Sequence, residues 1–152
     1  MEKEKAIEVL NSLITINNDR IEGYETASKE TEELDLKNLF AQFISTSKKC
    51  RHDLVREVNT LGGEPAEGTL TSGKFFRAWM DFKAALTGKD RKAILNSCEF
   101  GEDRAKETYE KALENDSEHL SSEHQTMISA QKFSLAADHD HIKAMRDALV
   151  DA

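Results

Sequence analysis

The sequence predicts an all-α fold: four long helices in a bundle, with one short extra helix, as a single domain over residues 1–152. Three observations lead there. Apolar residues recur at spacings of three and four along four long segments, the pattern of helices that bury one face. With one proline and seven glycines in 152 residues, few positions can break a helix. No segment alternates apolar and polar residues in the manner of a half-buried strand. A chain of this length can bury a usable core, and a hydrophobic fraction of 38% suits helices with fully charged outer faces.

The first helix is expected from about Lys3 to Thr31, with Ile7, Leu10, Ile14, Ile21 and Ala27 on its stripe. Asn17 and Asn18 fall where apolar residues would continue that stripe. Gly23 sits inside the helix at a cost of about 1 kcal/mol relative to alanine. A short turn, Glu32 to Asp35, follows, with Asp35 as the expected N-cap. Helix two should run to Leu61 and carries Leu36, Leu39, Phe40, Phe43, Leu54 and Val58, its stripe passing through Ser47 and Cys50. Gly62 and Gly63 followed by Pro65 form a strong stop: glycine for a left-handed cap, then a residue that cannot continue the helix. Pro65 to Ser72 reads as irregular. It is long enough that helices two and three need not be hairpin neighbours.

The short extra helix is expected from Lys74 to Thr87 in this long connection, with Phe75, Phe76, Trp79, Met80, Phe82 and Leu86 as a lid on the bundle. Gly88 and Asp90 then end one helix and cap the next. Helix three spans about Asp90 to Glu114, and its stripe reads Ile94, Leu95, Cys98, Glu102, Ala105, Tyr109 and Ala112. Helix four begins at Ser117 or Ser122 and runs to Leu149, with Ile128, Leu135, His139, Ile142 and Met145 on one face. A faint echo links Glu22-Gly-Tyr-Glu-Thr-Ala27 to Glu107-Thr-Tyr-Glu-Lys-Ala112. Both follow Glu-x-Tyr-Glu-x-Ala, as a duplicated helix pair would.

Charge narrows the function. With 21 basic against 29 acidic residues the formal charge is −8, and no basic cluster offsets that field, so nucleic acid is not an expected partner. No run has the length of a membrane span, and the opening Met-Glu-Lys-Glu-Lys does not start a signal peptide; a cytoplasmic protein is expected. Cys50 and Cys98 form no CxxC pair and are expected as buried small apolar side chains.

Two carboxylates on the inner stripes point toward metal chemistry. A di-iron carboxylate bundle takes one glutamate from each of two helices and a Glu-x-x-His from each of the other two. Helix one offers Glu25, in line with Ile14, Asn18 and Ile21, with Glu22 nearby on a more exposed stripe. Helix three offers Glu102, with Glu99 one turn earlier. On helix two the inward i,i+3 pair is Ser47 and Cys50. On helix four His139 lies on the stripe, but Ala136 stands three residues before it. Asp138 and His141 have the spacing, with His141 facing solvent. Glu25, Glu102 and His139 are what remains of that ligand set.

Several segments together resemble a bacterial family of ferritin-like four-helix bundles classed as a domain of unknown function. They are Ile16-Asn-Asn-Asp-Arg-Ile-Glu-Gly-Tyr-Glu25, Leu61-Gly-Gly-Glu-Pro65, Trp79-Met-Asp-Phe-Lys-Ala-Ala-Leu-Thr-Gly88, Asp90-Arg-Lys-Ala-Ile-Leu95 and Gly101-Glu-Asp103, with His139-Asp140 and Lys143 to Asp147 near the chain end. The resemblance covers nearly the whole chain. It implies a ferritin-like bundle within a superfamily that includes ferritins, rubrerythrins and other di-iron proteins. Ser47, Cys50 and Ala136 depart from the superfamily's ligand pattern, so ferroxidase or peroxidase activity is not expected. The first functional reading is a non-catalytic structural, binding or stress-associated bundle without a complete di-iron site. The second is a mononuclear iron, manganese or zinc site made by Glu25, Glu102 and His139, with Glu22, Glu99 and Cys50 as secondary candidates. A homodimer paired through the aromatic segment Phe75 to Phe82 is a further expectation, with no protein partner identified.

Overall fold

The structure is a computed structural model and describes residues 2–68 and 91–151. Four long helices make up nearly all of it: α1 (Glu2–Glu30), α2 (Leu34–Thr60), α3 (Arg91–Asn115) and α4 (Ser122–Asp151), with a single 3₁₀ turn at Ser117–His119. Among the described residues there is no strand. The expected short helix with its aromatic residues, Phe75 to Phe82, lies outside the described residues, as does the dimer surface assigned to it.

Helices α1 and α2 form one hairpin and α3 and α4 another; α1 packs also on α3, and α2 on α4. Paired side chains give the directions. On α1 and α3, Asn17 meets Tyr109 while Tyr24 meets Glu102, so these helices run antiparallel. On α2 and α4, Glu57 meets His124 while Cys50 meets Gln131, also antiparallel. Helices α2 and α3 are therefore parallel and diagonal. Arg91, at the start of α3, bonds Glu33 and Asp35 at the start of α2, so α2 ends and α3 begins at opposite ends of the bundle. The long connection leaves this open, since it does not require the two to be hairpin neighbours.

Helix ends follow from local chemistry. Glu33, not Asp35, holds the N-cap position of α2. Asp35 lies in the first turn, where its Oδ1 accepts a 2.9 Å hydrogen bond from the Leu36 amide and its carboxylate pairs with Arg91. At the other end Gly62 has φ +81°, the Gly62 amide donates to Asn59 O, and the Gly63 amide donates to Val58 O. That is a Schellman closure, and it needs a residue free to take positive φ. Gly63 is required for space: a Cβ there would stand 2.8 Å from Ile7 Cδ1. The chain beyond is tied to α1 by asparagines. Asn11 Nδ2 donates to Glu64 O, the Ala66 amide donates to Asn11 Oδ1, and Asn18 Nδ2 donates to Gly68 O.

The core has an apolar region at each end and a polar layer between them. One region gathers Leu10, Leu13, Leu54, Val58, Ala112 and Ile128. The other gathers Tyr24, Leu36, Phe40, Phe43, Leu95 and Ile142, with the Tyr24 ring stacked on Phe40 at 5.4 Å and edge-on to Phe43 at 5.2 Å. The echo seen in the sequence extends through this core. Among the buried residues of α1, seven (Val9, Leu10, Leu13, Asn17, Arg20, Tyr24, Ala27) match the buried residues of α3 (Ile94, Leu95, Cys98, Glu102, Ala105, Tyr109, Ala112) at a constant spacing. On α2 and α4 the series Leu36, Phe40, Phe43, Ser47, Cys50, Leu54 matches His124, Ile128, Gln131, Leu135, Asp138, Ile142.

Candidate functional site

Helices α2, α3 and α4 send Ser47, Glu102 and Asp138 into the middle of the bundle, and Arg20 joins them. From α1 its Nε and Nη2 donate to Glu102 Oε1 on α3 at 3.1 and 2.7 Å. Nη2 also donates to Asp138 Oδ2 on α4 at 3.2 Å, and Nη1 to Ser47 Oγ on α2 at 2.5 Å. Tyr24 donates its hydroxyl proton to the same Glu102 Oε1 at 2.5 Å. The guanidinium lies 5.7 Å from the Tyr24 ring centre and 5.8 Å from that of Phe43, close enough for its charge to feel both ring faces. Arg20, Glu102 and Asp138 expose 6%, 2% and 3% of their surface. Charges so removed from water persist only when paired, and here they are.

The electrostatics follow from burial and pairing. Burial works against the Arg20 charge, but Glu102, Tyr24 and Asp138 overcome it and push its pKa up. Burial first, then the Glu102 charge, pushes the Tyr24 hydroxyl well above its ordinary range. Burial raises Asp138, with Glu102 adding to the rise and Arg20 opposing it. This centre holds a cation permanently, and it is an arginine.

One layer away lies a second, uncharged knot. Asn17 Nδ2 donates to Leu13 O at 2.9 Å and to the Tyr109 hydroxyl at 2.8 Å. Tyr109 donates to Gln131 Oε1 at 2.7 Å, and Gln131 Nε2 donates to Cys50 O at 3.3 Å. Burial pushes the Cys50 thiol up to about 11 and raises Cys98 well above its ordinary value, so neither is a thiolate at neutral pH. Both cysteines are free and buried, in agreement with the sequence reading.

The three residues expected to share one ion are held by different partners. Glu25 is exposed and sits 3.8 Å from Lys48 Nζ, because the inward position of that turn belongs to Tyr24. Glu22 is exposed too. Glu102 is inward as expected, but its partner is Arg20. His139 lies at the α3 edge rather than on the inner stripe of α4, where Asp138 stands; its Nε2 is 2.9 Å from Asp103 Oδ1 and 3.9 Å from Glu99 Oε1. Glu99, Asp103 and His139 thus form a group whose donor atoms lie within 4.8 Å of one another. A di-iron pair does not fit the centre: an arginine guanidinium fills the space between the carboxylates, and Ser47 and Cys50 stand where Glu-x-x-His would.

Sequence reasoning missed Arg20 and did not bring Asp138 inward. A signal for Arg20 existed. Leu13, Asn17, Arg20, Tyr24 and Ala27 follow one another at intervals of four and three, a cleaner inner seam than the stripe through Ile14 and Ile21. A charged residue on that seam reads as an interruption until its partners are known.

No curated protein matches this chain. A family model, described as a domain of unknown function (DUF2383), matches residues 5–115. That span holds nearly all of α1 and the whole of α2 and α3, and with them Arg20, Tyr24, Ser47 and Glu102. The chain belongs to this family of domains of unknown function, DUF2383.

Proposed function

We propose that this chain is a ferritin-like bundle of the bacterial cytoplasm that works without a di-iron centre, as a non-catalytic structural or binding module, of the kind a stress response uses. The observation that carries this reading is Arg20. It lies among the inward side chains of all four helices and bonds Glu102, Asp138 and Ser47, occupying the place that metal cations hold in a carboxylate bundle. The single long connection between α2 and α3 supports the ferritin-like assignment, since ferritin-like bundles have one such crossover.

A buried cation held by two carboxylates suits register better than catalysis. Such groups often add little stability compared with apolar packing, yet a wrong alignment of the helices would leave charges bare. Among the described residues the nearby thiols, Cys50 and Cys98, are kept protonated by burial, and His52, two residues from Cys50 along the same helix, points outward.

The test is iron(II) added anaerobically to untagged protein, followed by air. The expected result is oxidation no faster than the protein-free blank, and no bound iron that depends on Glu102 or Asp138. Iron retained by the wild type and lost in Glu102→Gln would overturn the reading.

A further inference from the structure

We propose a divalent-cation site, suited to zinc, between α3 and α4, formed by Glu99, Asp103 and His139. It is separate from the bundle centre and independent of the reading above.

Glu99 and Asp103 are one helical turn apart on α3, so their carboxylates project from one side of that helix. His139 comes from α4 and directs Nε2 at both, 2.9 Å from Asp103 Oδ1 and 3.9 Å from Glu99 Oε1. The three donor atoms lie within 4.8 Å of one another. Zinc sits about 2.0–2.2 Å from nitrogen and oxygen donors in a tetrahedron, which asks for donors about 3.4 Å apart. Small side-chain rotations meet that.

The donor set is mixed, one imidazole with two carboxylates, and this distinguishes it from an ordinary acidic surface. An acidic cluster alone gathers any counterion, whereas a nitrogen donor beside two oxygens favours zinc over magnesium or calcium. The far side of the ring is also prepared. Asp140 Oδ1 lies 3.4 Å from His139 Nδ1, where a carboxylate accepts a hydrogen bond from Nδ1–H and leaves Nε2 free to bind.

Burial and charge agree. The His139 and Glu99 side chains expose 14% and 18% of their surface, and Asp103 exposes 50%, so protein encloses two ligands and the third opens to water for the fourth position. Arg146 pairs with Glu99 Oε2 and Asp147, leaving Glu99 Oε1 toward His139. The neighbouring Arg104 turns away to Glu107. Around His139 the carboxylates of Glu99, Asp103 and Asp140 thus outnumber the guanidinium of Arg146, which Glu99 shares with Asp147.

The test is equilibrium dialysis of the full chain, stripped with chelator, against micromolar zinc chloride at neutral pH, followed by thermal melts. The expected result is saturable uptake of one zinc per chain and a higher melting temperature, because an ion held by both helices stabilises only the folded state. His139→Ala and Asp103→Asn should each abolish saturable uptake while keeping the helical circular dichroism of the wild type. Asp140→Asn should weaken binding by about tenfold. Glu102→Gln should leave it unchanged, which separates this site from the bundle centre. No saturable uptake, or uptake that survives His139→Ala, would overturn the proposal and leave His139 as the partner of Asp103 in an ion pair only.

Discussion

Tyr24 and Tyr109 occupy matching positions on α1 and α3, and each reaches across to the other helix, yet their surroundings differ. Tyr24 donates to Glu102, which is bound by the Arg20 guanidinium. Tyr109 accepts a hydrogen bond from Asn17 and donates one to Gln131, and no charge is involved. Asn17 is itself the counterpart of Glu102, and Ala105 the counterpart of Arg20. The repeated burial pattern builds two equivalent polar knots. Three departures from the repeat, Arg20, Glu102 and Asp138 (the counterpart of Cys50), turn one of them into a charged centre. Architecture lies in what the two hairpins share, and chemistry in where they differ.

The comparison breaks most severely at Arg20. Arg20→Met leaves Glu102 and Asp138 buried without a counter-charge, and urea denaturation at neutral pH should report a loss of about 3–5 kcal/mol. Replacing all three charged groups together, as Arg20→Met with Glu102→Gln and Asp138→Asn, should recover most of that loss, because an uncharged layer leaves no bare ion. The triple variant makes the charged knot resemble the neutral one.

The two tyrosines give a smaller, paired test. Tyr24→Phe removes a hydrogen bond to a carboxylate and should cost about 2–3 kcal/mol; Tyr109→Phe removes bonds between neutral groups and should cost about 1–2 kcal/mol. Equal losses would mean that charge does not distinguish the two layers.

Asp138 sharpens the same point through its sign. Burial first, and then Glu102, hold its carboxyl above the ordinary value of 3.8. Folded Asp138 therefore binds its proton more tightly than the unfolded chain does. Its contribution to stability is greatest below the unfolded value and declines as pH rises through the folded one. The stability of the wild type minus that of Asp138→Asn should fall with rising pH across this window. A difference that rises instead would mean that Arg20 outweighs desolvation.

The cysteines should give the smallest effect. Cys98 lies beside the charged centre and Cys50 beside the neutral one, and burial raises the pKa of both. Neither should react with a thiol reagent in the folded protein near pH 8, and both should react once urea unfolds it. Rapid labelling of Cys50 alone would show that the neutral layer opens to solvent.

These contrasts bear on what a sequence makes legible. The four helices were readable because burial of one face imposes a repeat that survives occasional polar residues, and Gly62, Gly63 and Pro65 mark the end of α2 without ambiguity. Glu102 was readable as an inward carboxylate for the same reason. Asp138 and His139 are adjacent, and the apolar residues around them, Leu135 and Ile142, admit either one on the inner face. The choice was made by Arg20, more than a hundred positions earlier, which supplies the charge that lets Asp138 turn inward. Glu25 and Tyr24 pose the same ambiguity, resolved by the Glu102 carboxylate on α3. The seam through Arg20 is local, but the pairing of its charge is not, so the partners became visible only when the helices were assembled.

The central claim is that an arginine cation organises the polar centre. A double-mutant cycle between Arg20→Met and Glu102→Gln, read by urea denaturation at neutral pH, tests it most directly. A coupling energy of at least about 2 kcal/mol is the result expected for a desolvated, hydrogen-bonded pair. Additivity within about 0.5 kcal/mol would contradict it.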